Sequence, residues 1–304
     1  MSKLSLRQLE VFRNIMRLGT MTAAAQALNI TQPAASRLLR HAEEQLGTAL
    51  FHRQNGRLRP TPEARALFPE VDRIFNSVDY VQKIAGDLHR LQAGRLHVAT
   101  IPSLAATYLT WATERFLREH PAVTIIVSSV VNAEVPEMVA GGRADFGLAF
   151  LPLADAEVQV EPIGETHLAA VLPPAHPLCA LPELSPHDLV GEPLVSFSGS
   201  APIGQRIEAV FRSAGIVSPM TIEVSSSFLA CAFVKAGTGI ALVDWLAKAN
   251  GAFPDLEMRP IKPRTHIKTA ILTHPEQPPS LIAKAFMDEL RNYSGFDMTP
   301  EPPN

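Results

Sequence analysis

Over the first sixty residues, apolar side chains recur at intervals of three and four, in three short runs separated by polar breaks. That spacing turns one face of a helix toward a core. Leu9, Phe12, Ile15 and Met16 form the first run, opened by Ser5 and Gln8 as a capping box and closed by Gly19. Met21, Ala24, Ala25 and Leu28 form the second, a short helix over about residues 22–28. Asn29 is its stop, because a short polar side chain tolerates the left-handed turn there. Ala35, Leu38, Leu39, Ala42 and Leu46 form the third run, with Thr31 as N-cap and Gln32 and Pro33 in the first turn.

The other side of the third helix carries Gln32, Pro33, Ser36, Arg37 and Arg40, with Thr31 at its cap. These are hydrogen-bonding and cationic groups with no carboxylate among them. A helix in the major groove of DNA needs that surface, with amino-terminal residues on base edges and arginines on guanine or phosphate. Any alanine-rich amphipathic helix pair would share the apolar pattern, so the next stretch decides. Asn55-Gly56 is a hairpin-turn signal, and Arg53, Arg57 and Arg59 would ride on its two strands. A basic hairpin beside such a helix makes a winged helix-turn-helix.

Thr61 and Pro62 then cap a helix predicted to reach about residue 90. Its apolar positions, Leu67, Val71, Ile74, Val78, Val81, Ala85 and Leu88, alternate in steps of four and three. This is a coiled-coil seam and predicts pairing with a second copy; packing against its own domain is the alternative. Pro69 predicts a kink near the start. Residues 92–95 mark a hinge, beyond which strands and helices alternate. Strands are expected over residues 96–101, 122–130, 144–150, 168–172, 193–197, 220–225, 240–243 and 269–273. Helices are expected over 102–119, 134–140, 204–214, 228–235 and 279–293. The first strands are continuously apolar, which predicts a parallel sheet covered on both faces.

Charge sharpens this division. Residues 1–61 hold nine Lys/Arg against three acids, so a net charge of −3 conceals +6 at the head and −9 on the body. A basic head on an acidic body is the footprint of a protein that touches nucleic acid with one end. With 304 residues, 46% hydrophobic and 19% charged, the chain has room for two domains and is not of disordered composition. No apolar run is long enough to span a membrane, and Arg7, Glu10 and Arg13 interrupt any secretory pattern, so the cytoplasm is the expected location. Cys179 and Cys231 stand far apart in apolar surroundings and are expected as buried free thiols. No spacing of Cys and His suggests a metal, and no cofactor is expected.

Leu9 to Phe12, Met21 to Ala25, Thr31 to Arg37, Glu44 to Gly47, Leu50 to Arg53 and Thr61-Pro62 together resemble the signature of LysR-type transcriptional regulators. Ala64 stands where the family usually has glycine, a change that favours helix. The resemblance implies a winged helix-turn-helix over residues 4–61, a linker and dimerisation helix over 62–91, and an effector-binding domain over 92–304. That domain would have a periplasmic-binding-protein-like α/β fold, with one lobe at about 92–161 and 268–304 and the other at about 162–267. It also implies promoter DNA, a small-molecule effector and a second copy of the chain (homodimer or homotetramer) as partners, with RNA polymerase a further candidate and no membrane. DNA contacts would fall to Thr31, Gln32, Pro33, Ser36, Arg37, Arg40, Arg53 and Arg57.

In open α/β sheets, ligands bind beyond the carboxyl ends of strands, where helix amino ends point N–H groups at them. Three such junctions carry hydroxyls: Pro102, Ser103 and Leu104; Phe197, Ser198 and Ser200; and Ser226, Ser227 and Phe228. Each hydroxyl could donate to a carboxylate, and each could equally be a plain N-cap. Ser129, Asn132 and Phe150 would supply side walls, and Glu134 and Asp244 are candidates to face a cationic group on the ligand. The family places its co-inducer at these junctions. Thr61 to Ala64, the segment Ser196 to Ser200 and the triple serine 225–227 look most similar to regulators of opine and amino-acid-derivative catabolism. An enzyme on the same α/β body is the rival reading, but no phosphate-binding loop or nucleophile elbow is present. A transport-type binding protein conflicts with the basic head.

Overall fold

The computed structural model describes residues 4–54, 57–87, 94–154, 157–248 and 251–293, without the side chains of Arg53, Gln54, Arg57 and residues 79, 80 and 82–87. Two units divide the chain, Met1–Gln82 and Lys83–Asn304.

The first unit begins with α1 (Leu6–Leu18), where Ser5 Oγ accepts from Gln8 N and the Gln8 side chain accepts from Ser5 N. Gly19 ends the helix at φ 74°, a left-handed position that costs glycine little. Helix α2 (Met21–Ala27) follows, and Asn29, at φ 52°, makes the left-handed step expected of it. Helix α3 (Gln32–Leu46) starts at Thr31 with a proline in its first turn. Strands β1 (Phe51–Gln54) and β2 (Arg57–Pro60) pair antiparallel from Phe51↔Pro60 to Gln54↔Arg57. Asn55 and Gly56, predicted as the turn, lie outside the described residues. Helix α4 (Pro62–Asp87) completes the unit and continues unbroken through Pro69.

Val11, Phe12 and Ile15 of α1 pack with Ala24 and Ala25 of α2 and with Ala35 and Leu39 of α3. The alanines let these helices approach closely. Leu46 departs from the predicted stripe: it is 39% exposed, because the helix stops there and Gly47 turns the chain away. The α4 seam divides as well. Leu67 and Val71 join the unit's own core, together with Ala64, Phe68 and Phe75. Ile74, Val78 and Val81 stay exposed. Ala85 and Leu88 fall where the structure describes no side chains.

A buried carboxylate fixes α1 on α4. Asp72 receives Arg13 Nε at 2.7 Å and Arg17 Nη2 at 2.8 Å, while Arg13 also donates to Asn76 Oδ1 at 2.8 Å. Burial alone would raise the Asp72 pKa, but the two guanidinium groups overcome it and leave the carboxyl below its ordinary value. Arg13 and Arg17 therefore belong to the unit's interior scaffold, although both count toward the basic head.

The second unit runs through β3 (Gly94–Thr100), α5 (Pro102–Leu104), a π turn (Ala105–Leu109), α6 (Thr110–Glu119), β4 (Val123–Ser129), α7 (Glu134–Ala140) and β5 (Phe146–Phe150). Next come β6 (Gln159–Leu172), β7 (Leu194–Phe197), α8 (Pro202–Ser213), β8 (Met220–Val224), α9 (Ser227–Lys235) and β9 (Ile240–Asp244). Strands β10 (Glu257–Pro260) and β11 (His266–Thr273) and helix α10 (Leu281–Arg291) close it. The strands order as β4-β3-β5-β11-β6-β9-β7-β8, with β10 also on β6.

The sheet is mixed, whereas apolar strands alone predict a parallel one. Strands β3, β4 and β5 are parallel, as are β7, β8 and β9, but β6 and β11 run antiparallel to their neighbours. Strand β6 is fourteen residues long against five predicted, because two partners share it. It pairs with β11 through His167 and with β9 from Leu168 onward. It thus joins two α/β lobes, and β11 returns the chain to the first. The expected crossing points, residues 162 and 268, fall inside these two strands. At the change of partner, His167 is buried and stacks on Trp245 with ring centroids 4.7 Å apart.

Candidate functional site

On α3, Gln32, Pro33, Arg37 and Arg40 are exposed, Ser36 is half-buried, and the opposite face is in the core. Thr31 is exposed as well and makes no side-chain cap bond. Among the described residues, neither Arg37 nor Arg40 has an ion-pair partner. Glu43, near the helix end, faces away from this surface and accepts from the backbone of Leu50 and Phe51 at 2.7 and 3.2 Å, fixing the start of the β-hairpin. Of the two acids of α3, Glu43 is thus in structural use and Glu44 lies 3.5 Å from His41, while Arg37 and Arg40 are left without an ion pair among the described residues. Arg59 on β2 is exposed; the side chains of Arg53 and Arg57 lie outside those described.

The second unit contains a cavity of about 820 Å³, a volume suited to a small organic molecule. The ends of β3, β5, β7 and β8 open onto it, as do the first turns of α5, α8 and α9 and one face of α7. Of the residues proposed from sequence, Pro102, Ser103, Asn132, Phe150, Phe197, Ser198, Ser200, Ser226 and Ser227 line it together. Leu104 does not: it is fully buried in the core beneath α5. Ser129 is exposed at the end of the edge strand β4, and Phe228 packs its ring at a tilt against Phe253, with centroids 5.0 Å apart.

The hydroxyls differ in what they can still do. Ser103 and Ser227 both donate to one oxygen of Asp244, Oδ2, at 2.9 and 2.5 Å. Ser226 caps its own helix by accepting from Leu229 N. Ser198 and Ser200 bond each other at 3.0 Å beside the start of α8, whose N-cap residue Ala201 gives no side-chain cap. Gly204 lets that turn approach closely, since a Cβ there would lie 1.9 Å from the Ser198 carbonyl oxygen. The Asn132 amide is occupied: it donates to Phe150 O at 3.1 Å and accepts from Phe150 N at 2.8 Å.

Asp244 ends β9 and is completely buried. Burial raises its pKa; the hydroxyls of Ser227 and Ser103 and adjacent backbone N–H groups oppose this without cancelling it. The same burial, with Asp244 nearby, pushes the Cys231 thiol up to about 12, so that cysteine is an inert core residue. Cys179, expected to be buried, is only half-buried.

Sequence reasoning missed the cavity's acidic lining: Glu137 on α7, Glu157 before β6 and Glu223 on β8. A signal existed for the first of these. Ala133, Pro136, Glu137 and Ala140 all line the cavity, at the spacing of one helix face, as do Ser226, Leu229 and Phe233. Glu134, proposed as a partner for a cation, is exposed and does not line it. Among the described residues, no group of His, Cys, Asp and Glu could hold a metal ion, and no helix is long and apolar enough to cross a membrane.

Two family descriptions match the chain: "Bacterial regulatory helix-turn-helix protein, lysR family" over residues 6–65, and "LysR substrate binding domain" over residues 89–295. The regulatory protein NocR of Agrobacterium tumefaciens (strain T37) is 34% identical over 281 residues, 92% of this chain and 93% of that one. The octopine catabolism/uptake operon regulatory protein OccR of Rhizobium meliloti is 34% identical over 241 residues, 79% of this chain and 80% of its own. Full-length CbnR, solved in complex with its target DNA, shares the fold at a TM-score of 0.73 and 21% identity, covering 95% of this chain and 99% of that one. With its helix-turn-helix unit for DNA and its two-lobed domain for a small-molecule effector, the chain belongs to the LysR-type transcriptional regulators.

Proposed function

We propose that Gln32, Pro33, Ser36, Arg37 and Arg40, led in by Thr31, lie in the major groove of promoter DNA, with Arg53 and Arg57 of the hairpin at phosphates or the minor groove. The observation that carries this is the α3 face: exposed and cationic, with Arg37 and Arg40 free of ion pairs among the described residues, on a helix whose other face is locked in a core. Two copies of the chain pair through the exposed α4 stripe Ile74, Val78 and Val81, which sets the spacing of the two DNA-binding units. The protein acts in the cytoplasm and catalyses no reaction. Its effector is an amino-acid derivative with a carboxylate received at Ser198, Ser200 and the uncapped start of α8. Binding shifts the two lobes, and through them the placement of the DNA-binding units.

A gel-shift or anisotropy titration of the full chain on the duplex upstream of its gene tests the DNA assignment. Arg37→Ala should weaken binding by about tenfold and, for a phosphate contact, lower the salt slope by about 1. Unchanged affinity would remove Arg37 from the interface.

A further inference from the structure

Helix α4 is held to α1 by directional bonds as well as by apolar packing. Asp72, Phe75 and Asn76 stand at i, i+3 and i+4, on one face of α4. The Arg13 guanidinium lies along that face. Its Nε donates to Asp72 Oδ1 at 2.7 Å, its Nη2 donates to Asn76 Oδ1 at 2.8 Å, and it sits over the Phe75 ring at 5.2 Å from the centroid. Arg17, one turn further along α1, reaches the same carboxylate, with Nη2 at 2.8 and 3.0 Å from its two oxygens. Two turns of α1 thus grip one turn of α4. Apolar contacts tolerate sliding and rotation, whereas these bonds weaken steeply with both distance and angle.

The grip extends to the DNA-facing helix. On α1, Gln8 Nε2 donates to Gln45 Oε1 of α3 at 3.0 Å, and Val11, Phe12 and Ile15 share a core with Ala35 and Leu39 of α3. The exposed apolar positions of α4, Ile74, Val78 and Val81, point the other way. At about 100° per residue, their mean direction lies about 150° from that of Asp72, Phe75 and Asn76. One side of α4 is committed to α1, and the opposite side is left to a second copy of the chain. A helix held in this way turns together with α3 and not independently of it.

We infer that Asp72, with Arg13 and Arg17, sets the spacing and angle of the two recognition helices in the dimer, and so selects the half-site separation that the protein accepts. Asp72 is a positioning residue: it is buried inside the unit and acts on DNA only through α1 and α3. The inference rests on the pairing of two chains through α4 proposed above. One added base pair between half-sites moves one of them by about 3.4 Å and turns it by about 35°. A clamped pair of helices cannot follow that change, whereas a loosened pair can.

The test uses the full chain, by anisotropy, on its upstream duplex and on a copy lengthened by one base pair at the centre of the footprint. The readout is the ratio of the two affinities. For the parent protein it should be about ten, the scale of one lost base-pair contact. Asp72→Asn, which keeps the shape and removes the charge, and Arg17→Gln, at a more exposed position, should each lower the ratio by about threefold, a coupling usual within one bonded network. A merely structural role would weaken binding to both duplexes alike, because unfolded molecules bind neither, and would leave the ratio unchanged. A parent-like ratio in Arg17→Gln overturns the inference, whether or not Asp72→Asn folds. A parent protein indifferent to the added base pair would remove the pairing through α4, and this inference with it.

Discussion

Among the described residues each unit buries one aspartate, and the two are treated in opposite ways. Asp72 in the amino-terminal unit is met by Arg13, Arg17 and, through Arg13, Asn76, and its pKa lies below the ordinary value. Asp244 in the carboxy-terminal unit is buried more deeply, is met only by hydroxyls and backbone N–H groups, and its pKa lies above the ordinary value. The first is a finished ion pair that holds two helices in register. The second is a buried acid with no cationic partner among the described residues, held by two serines of a cavity wall. Guanidinium groups balance the burial of the first, whereas hydroxyls offset only part of the cost of the second.

The largest expected effect breaks the finished pair. Asp72→Ala removes the buried carboxylate that Arg13 and Arg17 share and should destabilise the helix-turn-helix unit by roughly 3 kcal/mol in chemical denaturation followed by circular dichroism. A change under about 0.5 kcal/mol, the scale of an ordinary surface substitution, would show that the pair is incidental.

Acid should separate the two units. His167 at the strand crossing is held down to about 4, first by burial and then by Arg264 and His266, so it folds neutral. The unfolded chain takes up that proton near pH 6.5, so stability drawn from this group falls as pH drops from 6.5 toward 4. Asp72 behaves differently: its stabilisation persists above pH 3.8 and is lost only below it, as pH falls through the depressed folded value. Both tryptophans, Trp111 and Trp245, lie in the second unit, so their emission reports that unit alone. Emission should change between pH 6.5 and 4 while helix content in the first unit holds, and His167→Gln should abolish the change. Simultaneous loss of both signals only below pH 4 would contradict the assignment.

The smallest expected effect is on Asp244. Its raised pKa means that the ionised form opposes folding above pH 3.8, so Asp244→Asn should leave the melting temperature of the ligand-free protein within a few degrees of the parent or above it. A collapse in stability would make Asp244 a scaffold residue like Asp72.

The amino-terminal unit was legible in sequence because its determinants are local. The capping box at Ser5, the stop at Asn29 and the apolar face of α3 each lie within one helix or turn. The second unit yielded its alternation of elements and the helix bounds of α7, but not the length of β6, whose two halves pair with different strands. The cavity was half legible. Strand ends followed by serines were visible; the direction of each hydroxyl was not. Ser103 is turned by a residue 141 positions away, and no local pattern encodes that. Asp244 was a candidate to face a cation directly, whereas the structure places it one layer back, behind the serines that would make the contact.

Whether the α3 face holds the duplex is decided by fluorescence anisotropy. The full-length protein and its Arg37→Ala and Arg40→Ala variants are titrated with the labelled upstream duplex. Each substitution should weaken binding by about tenfold. Parent affinity in both variants would take α3 off the DNA.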